Sequence, residues 1–247
     1  MMNVLSSVNR MMTSPLVCSQ FSTVTKKQIK NLPIYDVRFI TEENIDNFNF
    51  SEQDKHYCVY KFENYKKLEI PNYVNEMSFI KCNFTKDKGK ELCNSLENGK
   101  GLLLWSITAP VNKGDDLNYF WKYLLKKKQN ICGFELNKYK MDESEMKTFS
   151  KFIGNNSTKQ MIVLGNVDLS KNGFENFMFN VEKSKKCLSI LGFSFTNLNC
   201  EEGYLIGESL KKMSNFYLLD LTGNDNLGKS MENIFLGLRK VKDSIVG

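Results

Sequence analysis

Leu188-Ser189-Ile190-Leu191-Gly192-Phe193-Ser194-Phe195-Thr196-Asn197-Leu198 decides how this chain is built, because five other stretches repeat its pattern. With Thr196 as anchor, the equivalent positions are Cys82, Pro110, Tyr139, Val167 and Asn224. By subtraction, successive anchor numbers differ by 28, 29, 28, 29 and 28. Six positions around each anchor, −5, −3, +2, +7, +10 and +14, are expected to point inward. Of the 36 residues found there, 32 are apolar, the exceptions being Gly89, Asn112, Gly203 and Asn226. In a chain that is 41% hydrophobic, about 15 would be expected by chance, so the period is real.

The spacing also states the local geometry. Positions −5 and −3 alternate, as in a strand, whereas +7, +10 and +14 step by three and four, as in a helix. Position +3 reads Thr85, Lys113, Asp142, Ser170, Asn199 and Leu227, four of which are good helix N-caps. Each unit is therefore a strand, a turn, a helix and a return loop. Helices are predicted near 86–98, 114–128, 142–154, 171–184, 200–212 and 228–241. One such unit cannot cover its own apolar face, but stacked neighbours can.

These residues resemble the leucine-rich-repeat family, in particular its ribonuclease-inhibitor-like class. That class alternates repeats of two lengths that differ by one residue, as the anchors do here, and carries Cys or Asn at the anchor. The resemblance covers residues 74 to 241. Cys82 and Asn224 fit the anchor, while Pro110, Tyr139, Val167 and Thr196 depart from it. The implied fold is α/β: a leucine-rich-repeat solenoid, a horseshoe segment with six parallel strands on the concave face and six helices on the convex face.

Outside the repeats the chain divides in two. Residues 1–35 contain Arg10, Lys26, Lys27 and Lys30 and no acidic residue. Such a basic, Ser-rich composition suits a mitochondrial presequence, and a disordered N-terminal tail is the alternative. Residues 36–73 match the repeat poorly and are read as a capping segment or a degenerate earlier repeat, with Tyr57–Tyr60 strand-like. Residues 74–247 are the repeat domain, and Ser244-Ile245-Val246 would begin a seventh strand. No apolar run approaches the roughly 18 residues that a membrane-spanning helix needs, so no transmembrane segment is expected.

Catalytic and metal chemistry find little to work with. His56 is the single histidine, and the seven cysteines form no CxxC pair. GxGxxG does not occur, and the glycine-bearing stretch Gly223-Asn224-Asp225-Asn226-Leu227-Gly228, which with Lys229 and Ser230 has GxxxxGK[ST] spacing, falls in a repeat turn, with Asn224 at the anchor. Asp115-Asp116, Glu143/Glu145 and Glu201-Glu202 fall at predicted helix starts, where they favour the helix dipole. No catalytic residue, metal or cofactor is expected.

The concave face should present positions −4 and −2. Its candidate partner-binding residues are Ser78, Ser106, Thr108, Glu135, Asn137, Val163, Ser194, Asp220 and Thr222. These are mostly small and weakly polar, with room for a protruding helix or loop and little charge for a nucleic-acid groove. The expected function is a non-catalytic protein–protein interaction scaffold, a structural or assembly subunit of a mitochondrial complex if the presequence reading holds, and otherwise cytoplasmic. Mitochondrial leucine-rich-repeat proteins linked to ATP synthase and respiratory assembly are similar in architecture. Two alternatives stay open. One is a small-GTPase activator using Asn83, Asn197 and Asn224 in turns, as the Ran GTPase-activating proteins use rim residues. The other is an RNA-contacting accessory protein with a lysine rim formed by Lys126-Lys127-Lys128, Lys183/Lys185/Lys186 and Lys211-Lys212.

Overall fold

A computed structural model describes residues 37–51, 56–71, 73–74, 76–95, 104–108, 117–127, 133–155, 160–169, 171–184 and 188–246. Residues 1–35, read as a presequence or tail, lie outside them. One sheet runs through the molecule. Its strands are β1 (Val37–Ile40), β2 (His56–Tyr60), β3 (Glu76–Ile80), β4 (Leu104–Thr108), β5 (Gly133–Asn137), β6 (Gln160–Gly165), β7 (Leu188–Gly192) and β8 (Leu218–Asp220). All are parallel, and their order across the sheet is their order along the chain.

The pairing register restates the sequence period. From Glu76↔Leu104 onward, through Leu104↔Gly133, Gly133↔Met161, Ile162↔Leu191 and Leu191↔Leu219, paired positions keep the same alternating separation as the anchors. The two earlier steps, Val37↔His56 and His56↔Glu76, are shorter. The segment read as a cap thus contributes two strands to the same sheet, and its return paths are short 3-10 turns at Ile45–Asn47 and Tyr65–Lys67.

Six helices follow β3 to β8: α1 (Lys86–Ser95), α2 (Asn118–Lys127), α3 (Glu143–Asn155), α4 (Lys171–Lys183), α5 (Cys200–Leu210) and α6 (Ser230–Val246). Their starts follow the capping residues. Asp142 Oδ1 accepts the Glu145 N–H at 2.7 Å, and Asn199 forms a reciprocal capping box with Glu202. At the last unit the cap position holds Leu227, which has no acceptor to offer. The chain there makes a 3-10 turn (Asp225–Leu227), and α6 begins later, at Ser230. Nor does Ser244–Val246 start a strand. No Gly or Pro follows Leu238 before Gly247, and α6 continues through Val246.

The core lies between the sheet and the helices, where strand positions −5 and −3 meet helix positions +7, +10 and +14. Phe134, Phe149, Phe177 and Phe193 pass ring to ring through it, with centroids 5.5, 5.8 and 5.9 Å apart. The inward residues of the turns anchored at Cys82, Tyr139 and Thr196 are buried wherever they are described. Departures gather at the last turn: Leu219, Leu221, Met231 and Leu238 are half-buried and Asn226 is exposed. Leu169 is also half-buried, while Leu96, Asn112 and the Trp105 side chain lie outside what is described.

Candidate interaction surface

The sheet face turned away from the helices is organised in two rows. Register places Cys58, Ser78, Ser106, Glu135, Val163, Gly192 and Asp220 side by side across seven strands. The second row runs Tyr60, Ile80, Thr108, Asn137 and Gly165, and continues into Ser194 and Thr222 through backbone bonds of the following turns. The nine candidate residues therefore occupy the positions that alternation assigns to one face.

Accessibility divides that face. Ser78, Glu135 and Asn137 are buried, and so are their row neighbours Cys58, Tyr60 and Ile80. Every residue of β5 is out of solvent. Alternation identifies which face a residue is on but not whether that face is covered, and parallel strands are commonly buried on both sides. Val163, Ser194 and Asp220 are half-buried and Thr222 is exposed. Ser106 and Thr108 lie in β4, and their side chains are outside the described set. The accessible part of the predicted surface is thus its β6–β8 end.

Polar geometry at that end is specific. The Ser194 hydroxyl donates to Asp220 Oδ2, and the Thr222 hydroxyl and N–H donate to Asp220 Oδ1 at 2.6 and 2.9 Å. Partial burial pushes the Asp220 carboxyl up, but these three donors outweigh it and hold the group below the usual carboxylate range. Asn137 differs: its buried Oδ1 has no hydrogen-bond partner among the described residues. An orphaned acceptor costs about 1–3 kcal/mol, which a donor brought to it would recover.

The sheet edge carries a feature only partly visible in the sequence. The residue before the anchor has positive φ in turn after turn, at Lys81 (54°), Lys138 (54°), Asn166 (51°), Phe195 (55°) and Gly223 (71°), and so does Lys61 (47°), which follows the Tyr60↔Ile80 pair as Lys81 does. L-residues adopt this region rarely. The cost is met by backbone bonding, since the N–H groups of Lys61, Lys138, Asn166 and Phe195 donate to the carbonyls of Ile80, Gly165, Ser194 and Thr222 in the next turn. Phe195 leaves its ring 56% exposed, lying over Gly223, where an added Cβ would come within 2.2 Å of it.

The described anchors, Cys82, Tyr139, Val167, Thr196 and Asn224, are buried. Cys82 Sγ donates to the Val59 and Ile80 carbonyls at 3.3 and 3.5 Å, and burial pushes its thiol up to about 12. Asn224 Nδ2 donates to the Phe193 and Leu221 carbonyls, while its Oδ1 accepts from the Leu198 N–H and the Thr196 hydroxyl. Where the anchors are Tyr139 and Val167, backbone takes over: Asp168 N–H donates to the Tyr139 carbonyl and Met141 N–H to the Asp168 carbonyl. Tyr139 instead sends its hydroxyl to Glu145, which also accepts from Trp121 Nε1 at 3.1 Å. That buried carboxylate, only 3% exposed, fastens α2 to α3, although from sequence it reads merely as a helix-start charge.

The turn asparagines and the lysines are largely engaged. Asn224 is buried, Asn83 Oδ1 accepts the Thr85 N–H, and Asn197 Oδ1 accepts from Asn226 Nδ2. Lys211 bonds Glu208 and Asn233, Lys212 bonds both oxygens of Glu182, and Lys183 lies 4.5 Å from the Phe179 ring centre. Lys126 is exposed, whereas Lys128, Lys185 and Lys186 are outside the described residues, as are Asp115 and Asp116. A depression of about 620 Å³ beside α1 is lined in part by Lys66, Glu69, Glu91, Asn94 and Ser95, and the Ser95 hydroxyl donates to the backbone carbonyls of Tyr65 and Glu91 rather than to a carboxylate. Among the described residues no group of three or more His, Cys, Asp or Glu is placed to hold a metal ion, and no helix is long and apolar enough to cross a membrane. No family model matches the chain, and no curated protein matches it.

Proposed function

We propose that this chain is a leucine-rich-repeat solenoid of the ribonuclease-inhibitor-like class and acts as a non-catalytic protein–protein interaction scaffold. The observation that carries this reading is the combination at β6–β8: an exposed Phe195 beside an accessible, weakly charged strip of Val163, Ser194, Asp220 and Thr222. An aromatic anchor flanked by small polar groups is the composition of an interface centre. Small residues let a partner approach the backbone closely, whereas long lysines on the helix side lose rotamer entropy when immobilised. The ion pairs of Lys211 and Lys212 weigh against the lysine-rim reading. A structural or assembly role in a mitochondrial complex rests on residues 1–35, and a reporter fused to them that stays uniformly cytosolic and unprocessed would remove it.

The test uses the full chain expressed in its native cells, with partners captured quantitatively. Val163→Arg and Phe195→Ala should each reduce recovery of the major partner about tenfold or more, with unchanged melting temperature. Lys126→Glu combined with Lys127→Glu and Lys128→Glu should leave recovery unchanged. If the lysine triple alone abolished capture, in a salt-dependent way, the RNA-contacting reading would replace this one.

A further inference from the structure

Position +11 after each anchor lies outside the inward pattern, yet it identifies a second surface, separate from the one just proposed. It reads Cys93, Trp121, Ser150, Met178, Gly207 and Phe235. The first five are buried, whereas Phe235 is 61% exposed. The reason is visible at two of them. Trp121 on α2 packs against Phe149 and Phe152 of α3, with centroids 4.8 and 6.3 Å away. Gly207 on α5 lies against Asn233 of α6. Position +11 therefore faces the helix of the following turn, and on α6 no described helix follows.

The rest of that flank is apolar as well. Met231, Phe235 and Leu238 recur at i, i+4 and i+7, on one side of α6. Beside them Leu219 and Leu221 are half-buried, although Leu191 and Phe193, one turn earlier, are fully enclosed. The outer edge of β8 has no strand beside it among the described residues. An open edge next to exposed apolar side chains is a pairing surface.

Charge indicates what fits it. Exposed Glu232 and Arg239 lie three residues before and four after Phe235, on its stripe of the helix. An identical surface related by a two-fold axis near Phe235 runs antiparallel. It sets Glu232 against Arg239 of the partner subunit and Arg239 against the partner's Glu232. A parallel approach would oppose like charges. We infer that this flank, formed by β8 and α6, is a self-complementary interface that a second copy of the chain covers through an antiparallel α6–α6 contact.

Sedimentation velocity of the full chain across about 1–100 μM, a range that brackets weak self-association, tests the inference. A dimer is expected, and Phe235→Glu should weaken it about thirtyfold or more. Glu232→Arg should weaken it about tenfold, and adding Arg239→Glu to that variant should restore it, because the swapped charges again oppose each other. Phe179→Glu, at an equally exposed aromatic on α4, should change nothing. All substituted side chains are exposed, so a retained melting transition separates loss of contact from loss of fold. A chain that stays monomeric throughout, a double swap that fails to restore association, or a Phe179→Glu effect equal to that of Phe235→Glu would each overturn the inference. Monomeric behaviour would assign the flank to a different protein or to further repeats.

Discussion

The two ends of the described sheet are packed by opposite means. At the β1–β2 end the turns are shorter than those that follow and carry 3-10 segments where later turns carry helices. Large side chains fill the layer: Phe62, Tyr65 and Leu68 are fully enclosed, and Phe48, Phe50 and Tyr57 pack with centroids 4.8 to 6.0 Å apart. The Arg38 guanidinium lies 4.9 Å from the Phe48 ring centre. At the β7–β8 end two full helices occupy the layer, and side chains are removed where they meet. A Cβ on Gly203 would fall 1.9 Å from Ser230 Oγ, and one on Gly237 would fall 2.7 Å from the Gly207 carbonyl oxygen. A short turn thus fills its volume with aromatic bulk. A long turn fills it with backbone, and then needs glycine for the helices to approach.

The largest effect should come from charging the core at successive turns. Leu191→Asp places an unpaired carboxylate in a fully enclosed site, at a cost of several kcal/mol, and should abolish the cooperative melt. Leu219→Asp, at the half-buried equivalent one turn later, should lower the melting temperature but leave a transition. Equal loss at both sites would mean that the last layer is as closed as the one before it.

A smaller effect compares two glycines that share position +7. Gly203→Ala must displace Ser230, whose hydroxyl is bonded to the Leu227 carbonyl, and should destabilise by about 1–3 kcal/mol in chemical denaturation. Gly89→Ala meets only Tyr119 Cβ at an ordinary 3.9 Å and should stabilise by about 0.5–1 kcal/mol through helix propensity. The same sign at both positions would show that helix spacing does not tighten toward α6.

Smallest is the pH response of the open end. The folded Asp220 carboxyl is held below its ordinary value, so its contribution is present above the unfolded value of about 3.9 and is lost as pH falls through the folded one. Because Asp220 is only half-buried, the contribution should stay under about 1 kcal/mol. Asp220→Asn should flatten the fall in melting temperature below about pH 4, and an unchanged slope would remove the carboxylate from the stability of this end.

The repeating part of the structure was legible because one turn's strand and helix positions are fixed by the same period, so Leu191 and Ile206 announce each other. What a neighbouring turn supplies was not legible. Trp121 fits no inward position of its own unit and is enclosed by Phe149, Phe152 and Glu145 of the next. Glu145 reads as a dipole-favouring charge until its Tyr139 and Trp121 donors are seen. The β1–β2 turns escaped because they have no helix to carry the repeat period. On the candidate surface, alternation placed Ser78, Glu135 and Asn137 on one face, but two-letter patterning says nothing about whether that face meets water.

Strand order that follows chain order also has a mechanical meaning. Among the described residues each strand is bonded to the strands immediately before and after it in the chain, and no strand pairing joins β1 to β8. Force applied between the two ends of the described chain would meet a series of similar links rather than one clamp. Extension should therefore proceed as successive releases, each freeing one turn of the repeat. The β8–α6 layer, whose leucines are only half-enclosed, should let go first.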